Sequence, residues 1–507
     1  MTTAAGSGLR AVLPIAGLAL LVAATGCATL DPVLDRSGSD IAHTRECAEW
    51  YEALDASVVA AGVRDVQGTP VRGFPYLRTD RFSAALRGDA ASNEKSFDAL
   101  VDRLAALDLA ARGHEIANLP AARLAGIWRG PGTAGVAEAV RQSRDCAKVL
   151  QSVDFAESAN RVTLLKRLGV PDDYITGYRI AGLYALTRIA FSAGVRRQQE
   201  EVRAAFARDL AKTAQGNVLR YSPAARPRLG PEQLRQILEY ASLGALRIPE
   251  PEQEGLEILF AAYAPSFEIE TTGDHDRPGA LRWLHGPIPT VDASEPVVYR
   301  QLAHTQYRGV NLLQLVYTIW FSERPAASSA DLLAGVLDGL VFRVTLSPDG
   351  TPLIYDTIHP CGCYHMFFTT PRAVPLPGPE GEPEWAFVPQ SLPAMTPGDR
   401  VVVRIATRTH FVERVTRDQI DSLAEYGFRP YDELRSLPRF SGGSRSVFGP
   451  DGLIAGTNLA EQWLFWPMGI ASAGAMRQWG RHATAFVGRR HFDDADLLER
   501  RFVLDLR

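Results

Sequence analysis

The sequence predicts an α+β chain: an N-terminal all-helical domain, an antiparallel β-meander domain, then a mostly helical C-terminal segment. Three observations predict it. From His43 to about Ala245 apolar residues recur at intervals of three and four, as on one face of a helix. Near Pro249 the interval drops to two and β-branched and aromatic residues cluster into short runs. After Gly456 the stretch TNLAEQWLFWPMGIASAGAMRQWG returns to a helical reading. The boundaries that follow are a leader at 1–26, a tether at 27–40, the helical domain at 41–247, the β domain at 248–450 and the C-terminal segment at 451–507.

The leader begins with MTTAAGSGLR, which carries Arg10 and no acid, and continues as an apolar run over 11–26 that stops at Cys27. This run is shorter than the roughly 20 apolar residues that span a bilayer, and its layout is that of a secretory signal. Its last residues, Ala24-Thr25-Gly26-Cys27, resemble the lipobox of bacterial lipoproteins. The resemblance covers the first thirty or so residues. It implies cleavage before Cys27, lipid attachment to that cysteine and an exported protein whose partner is the membrane. Ala28, where such proteins otherwise carry aspartate, implies sorting to the outer membrane, facing the periplasm. Several acyl chains on one cysteine hold a protein stably where one alone gives marginal binding.

In the helical domain, FDALVDRLAALDLAARG (97–113), VAEAVRQSRDCAKVL (136–150) and YRIAGLYALTRIAF (178–191) repeat with helical spacing between Pro and Gly breaks. One break, Gly130-Pro131-Gly132-Thr133-Ala134-Gly135, matches G-x-G-x-x-G, but helices surround it and dinucleotide binding needs a preceding strand. In the β domain the strand-like runs are 262–271, 296–307, 312–322, 340–346, 352–358 and 400–412, with hairpin turns at Arg308-Gly309 and 347–350. Alternation along 312–322 puts Leu313, Leu315, Tyr317, Ile319 and Phe321 on one face, opposite Gln314, Thr318 and Trp320. Along 400–412 it puts Arg404, Arg408 and His410 opposite Val401, Val403 and Ile405. A sheet with one apolar and one polar face is the expectation.

The chain has 507 residues and a formal net charge of −4. Lys occurs only at 95, 148, 166 and 212 and no basic run exists, which speaks against a nucleic-acid partner. There is no G-x-S-x-G elbow, no H-E-x-x-H, no P-loop and no paired C-x-x-C, although a triad dispersed through the chain needs no such spacing.

Beyond Cys27 the cysteines are Cys47, Cys146, Cys361 and Cys363. An exported chain makes disulfides expected, and Cys47–Cys146 with Cys361–Cys363 is the pairing that keeps each bridge within one domain. The densest chemistry lies in "IHPCGCYH" (358–365), where His359, Cys361, Cys363 and His365 alternate on one face of an extended strand. On a straight strand His359 and His365 are roughly 20 Å apart, so the four reach one ion only if the chain bends at Pro360 and Gly362 or recruits His304 or His410. Three readings stand: a zinc or copper site using these side chains, a structural Cys361–Cys363 bridge with incidental histidines, and an exchangeable thiol pair. Catalysis stays open; a catalytic metal would activate water, with Asp356 as a base. The functional expectation is an envelope lipoprotein with a His/Cys site around 359–365, or alternatively a non-catalytic envelope protein that binds a ligand or partner.

Overall fold

The computed structural model describes residues 41–214, 216–224, 230–284, 286–417 and 424–507; Cys27 lies outside them. The N-terminal layer rests on three helices, α1 (Ile41–Ala61), α2 (Glu94–Asn118) and α3 (Val136–Asp154). Helix α2 starts where Asn93, in extended backbone, accepts a bond from the Ser96 N–H at 2.9 Å and so satisfies one of the helix's orphan donors. The Cys47–Cys146 disulfide joins α1 to α3 inside a core with Trp50, Leu54, Leu104 and Leu150. This layer is not all helix. A hairpin of Thr69–Val71 and Phe74–Thr79 runs through it and delivers Arg78 to Asp108 (3.0 Å) and Glu115 (2.8 Å) of α2. Arg112 closes the set against the same two carboxylates, and none of the four side chains is more than 2% exposed. Buried charges persist in this paired form because a lone one would have to be neutralised.

The body is one sheet of eleven strands: β1 (Asn217–Pro223), β2 (Ser266–Thr271), β3 (Val297–Tyr307), β4 (Val310–Arg324), β5 (Gly335–Leu346), β6 (Pro352–Ile358), β7 (Met366–Thr369), β8 (Gln390–Ser391), β9 (Val401–Ile405), β10 (Val412–Arg417) and β11 (Ala424–Pro430). Their order is β8-β7-β6-β5-β4-β3-β11-β1-β2-β9-β10. Strands β3 to β7 run antiparallel in sequence order, but β8 on β7, β11 on β3, β11 on β1 and β9 on β2 are parallel. The sheet is therefore mixed, and the expected antiparallel meander is corrected. The parallel neighbours are distant in sequence, and alternation within a strand carries no record of which distant strand lies beside it. The two edges nearly meet: Gln390 of β8 donates through Nε2 to the Val415 carbonyl of β10 (2.6 Å), while the Val415 N–H donates to Gln390 Oε1 (3.3 Å). The sheet is thus a nearly closed barrel, a shape that removes exposed strand edges.

Helices α4 (Tyr184–Ala207), α5 (Pro231–Ala241) and α6 (Gln253–Tyr263) pack on the barrel. Leu234, Leu238, Leu259 and Phe260 share its interior with Phe267, Tyr317 and Phe342. Leu313, Leu315, Tyr317, Ile319 and Phe321 all face that interior, as their alternation predicts. Gln314, Thr318 and Trp320 on the other face are buried as well, so the expected solvated polar face is covered.

Its cover is the C-terminal segment, which is not mostly helical. Apart from α7 (Gln462–Phe465) and α8 (Leu497–Arg501) it is largely turns, with a strand, Phe502–Leu504, pairing antiparallel with Ala373–Pro375. Phe492 packs on Val316, Val341 and Ile358; Leu497 and Phe502 pack on Leu312, Leu353 and Phe367. Two further expectations change. β1 lies inside the segment assigned to the helical domain, so the border at 247 does not separate helix from sheet. The single strand expected at 400–412 is two, β9 and β10, joined by a loop in which Arg408 and His410 take positive φ (63° and 52°). Among the described residues no helix is long and apolar enough to cross a membrane.

The Cys47–Cys146 bridge closes a sequence separation of 99 residues, which in the chain-entropy account is worth about 4–5 kcal/mol. The Cys47→Ala/Cys146→Ala double variant should lose stability of that order in urea unfolding, and a loss under about 1 kcal/mol would remove the bridge as the staple of the N-terminal layer.

Candidate functional site

The stretch 359–365 leaves β6 and returns as β7. It does bend: the Gly362 N–H donates to the His359 carbonyl (2.8 Å) and the His359 N–H to the Cys363 carbonyl (3.0 Å). Gly362 has φ +90°, and a Cβ there would sit 2.6 Å from the Ala483 carbonyl oxygen, so this turn needs glycine twice over. Tyr364 follows with φ 59°.

The bend sends the four predicted ligands apart. His359 Nδ1 lies 3.0 Å from Asp338 Oδ1, whose other oxygen is 2.8 Å from His410 Nδ1. His410 Nε2 faces Asp276 at 3.4 Å, and its ring stacks on Phe321 at 3.9 Å. Burial pulls against it, yet bonds to Asp276 and Asp338 hold the His410 pKa above its ordinary value, while both carboxyls are held below theirs. His365 turns the other way: its Nε2 is 2.9 Å from Asp356 Oδ2, and Asp356 is paired with Arg343 at 2.9 and 2.5 Å. Cys361 is buried with Trp320, Tyr431 and Met476. His304 is remote, stacked on Phe82 (5.0 Å) with Nε2 on the Pro249 carbonyl (2.9 Å).

The sequence expectation of a shared ion on His359, Cys361, Cys363 and His365, with His304 or His410 joining, is therefore corrected. Among the described residues no group of three or more His, Cys, Asp or Glu is placed to hold a metal, and the histidines of the loop are each engaged by a carboxylate. The donor set does not fit zinc or copper. The expected Cys361–Cys363 bridge is also absent from the described residues: both are free thiols, and the Cys363 N–H points to Cys361 Sγ at 3.4 Å. A bridge across one intervening residue departs from ordinary disulfide geometry, and the two bonds that close the Gly362 turn already fix the backbone there.

What the loop does build is one wall of a cavity of about 510 Å³. Cys363, His365 and Met366 supply that wall; Phe191, Gly194 and Val195 of α4 supply the opposite one; Phe387, Phe411, Phe465 and Phe486 fill the rest. Burial disfavours the charged forms of its imidazole, its carboxyls and its thiol, while Arg490 brings a positive charge to the lining. Burial, then the positive charge of Arg490, depress the His365 pKa to about 3. Asp356 is ionised, held below the usual range by Arg343 and His365 against the effect of burial, so His365 carries its proton on Nε2 and donates it to Asp356. Nδ1 is then a bare acceptor, buried and without a partner. Burial raises Glu461 to about 7. A hydrogen bond with Cys361, and burial, push the Cys363 thiol well above its ordinary value. Glu384, also raised by burial, accepts from the Phe486 and Val487 N–H groups at 2.8 and 2.9 Å.

Sequence reasoning found Cys363 and His365 but missed Glu384, Glu461, Arg490 and the α4 wall. The aromatic run QWLFW at 462–466 and the small residues Ala190, Ala193 and Gly194 on α4 were the available signals. A second cavity of about 450 Å³ contains His304, but its charges are paired, Arg103 with Glu250, Arg300 with Glu257 and Arg435 with Asp65. In class this is a nearly closed mixed barrel with an apolar side pocket. Comparison with family models, curated proteins and solved structures finds no match for the chain.

Glu461 gives a pH test of this electrostatic picture. Its folded pKa stands above the unfolded one, so the folded state holds the extra proton. The carboxyl therefore costs stability progressively as pH rises from about 4.5 to 7. Glu461→Gln should gain on the parent by roughly 2 kcal/mol at pH 8 while matching it at pH 4.5. Urea unfolding at the two pH values reads this out, and a constant difference would mean the carboxyl is ionised throughout.

Proposed function

We propose that this chain is an exported envelope lipoprotein, anchored through Cys27, that binds an apolar or amphipathic small molecule in the 510 Å³ cavity. The single observation that carries the binding reading is the combination of an aromatic and aliphatic lining with an imidazole, a carboxyl and a thiol whose charged forms burial disfavours. A volume in this range suits a small ligand. A protonated Glu461 at its wall below pH 7 suits one neutral polar group on an otherwise apolar body.

Catalysis is the weaker reading on the same observations. A general base works best with a pKa near the working pH, and His365 lies far below it. A nucleophilic cysteine works as thiolate, and Cys363 is pushed the other way. The export reading draws on the leader and on the buried Cys47–Cys146 bridge, which belongs in an oxidising compartment.

Gly194 supplies the test of binding. A Cβ placed there meets nothing within 4 Å, and the residue lines the cavity. Gly194→Phe should fill it while raising helix propensity. N-phenyl-1-naphthylamine should fluoresce on binding the parent and bind the variant at least about tenfold more weakly, with the melting temperature of the variant unchanged or higher. Equal binding by both would end the proposal. For the anchor, Cys27→Ala should move the protein from the membrane fraction to the soluble fraction of the envelope; a variant that still sediments with membranes excludes lipid attachment at Cys27.

A further inference from the structure

An uncovered apolar ridge runs through the corner before α4 and onto that pocket-walling helix. Ile180 (72% exposed), Leu183 (63%), Leu186 (66%) and Ile189 (66%) follow one another along 180–189. They lead directly to Ala190, Phe191 and Gly194 at the cavity. Across from them, α7 and the turn after it expose Trp463 (75%) and Leu464 (55%), while Phe465 turns inward to the same cavity. The two segments are packed together. Tyr178 meets Trp466 edge-on at 6.2 Å and Phe191 meets Phe465 at 5.6 Å. A Cβ on Gly182 would lie 2.5 Å from Pro467, so the backbone at the corner before α4 is pressed onto the α7 turn. Ridge and pocket mouth therefore form one continuous face.

Along the ridge itself the charge is positive, and acids enter only at its far end, where Glu200 and Glu201 follow. Residues 178–199 contain Arg179, Arg188, Arg196 and Arg197 and no acid, and 462–469 contain no charge. Arg179 is turned inward onto the Met468 and Gly488 carbonyls, leaving Arg196 exposed at the far end of the ridge beside Arg197, which pairs with Glu201 at 3.2 Å. Apolar side chains with tryptophan among them, flanked by arginine, match the interfacial zone of an anionic bilayer. A water-soluble partner surface has no need of that combination beside a cavity of the same apolar character.

Resting on the binding reading above, we infer that this ridge seats on the surface of an anionic lipid bilayer and that the ligand is an acyl chain entering the cavity from that bilayer. Ile180, Leu183, Leu186, Ile189, Trp463 and Leu464 insert at the headgroup boundary. Arg196 meets lipid phosphates, and the acyl chain passes between α4 and α7 without crossing bulk water.

The test uses residues 28–507, which contain every described residue and omit both leader and Cys27, with vesicles of phosphatidylglycerol and phosphatidylethanolamine or of phosphatidylcholine alone. The parent should cosediment with the anionic vesicles. The variant Ile180→Ser/Leu183→Asn/Leu186→Gln/Ile189→Gln should do so at least about tenfold more weakly, yet keep its melting temperature and its binding of N-phenyl-1-naphthylamine. Gly194→Phe should show the reverse, cosedimenting as the parent does but failing to bind the probe. Failure of the parent to cosediment, or equal cosedimentation by the ridge variant, overturns the inference and leaves the pocket's own test untouched. A parent dimer that the ridge variant abolishes also overturns it, assigning the face to a second copy of the chain.

Discussion

The pocket depends on where one ion pair can be buried. Arg343 on β5 and Asp356 on β6 stand opposite each other across the sheet, on its outer face, and each side chain is 1% exposed. Two bonds of 2.9 and 2.5 Å join them, but removing both charges from water costs several kcal/mol per ion unless their remaining bonding capacity is used. It is used by groups from outside these two strands. The Phe492 carbonyl accepts from Arg343 Nη1 at 2.6 Å, the Phe492 ring lies 3.7 Å under the guanidinium, and His365 binds Asp356. The C-terminal segment must therefore lie across the sheet, and the loop after β6 must turn back to bring His365 down. Both requirements shape the cavity wall.

The same loop is held at its other end by a second buried network. Asp276, His410, Asp338 and His359 alternate acid and base through a buried line. There bonds to Asp276 and Asp338 favour the charged form of His410 against its burial, whereas burial and then Arg490 favour the neutral form of His365. The turn at Gly362 is what lets His359 and His365, six residues apart, each reach its own carboxylate. A metal would have to take both from partners that already satisfy them.

How much of this was legible in the sequence follows from the range of each interaction. The inward set on β4, from Leu313 to Phe321, is local and was read correctly from its period of two. The Cys47–Cys146 bridge followed from counting cysteines in a chain expected to be exported. The barrel was not legible, because its parallel contacts join strands such as β11 and β1 that are some two hundred residues apart. The helical reading of 451–507 failed for another reason: that segment is rich in apolar residues because it covers a sheet, and burial of turns imitates the composition of a buried helix. In the site, His365 was visible as a reactive side chain but Arg343 was not visible as its controller. Periodicity had placed the outer face of the sheet in water, where an arginine needs no explanation.

That reversal also bears on function. A row of His and Cys looks like chemistry when its surroundings are taken as solvent, since exposed imidazoles and thiols titrate near neutral pH and are free to ligate or attack. Here the surroundings are phenylalanines. Desolvation disfavours whichever form is charged, so it lowers His365 and raises Glu461 and Cys363 together. Enzyme sites separate such groups, holding one acid protonated and another ionised so that a proton can move between them. A pocket whose burial disfavours the charged forms of base, acid and thiol alike gains a wall compatible with an apolar occupant. The ionised pair that the fold needs, Arg343 with Asp356, is kept behind His365, so the imidazole serves as an uncharged screen between a buried charge and the cavity.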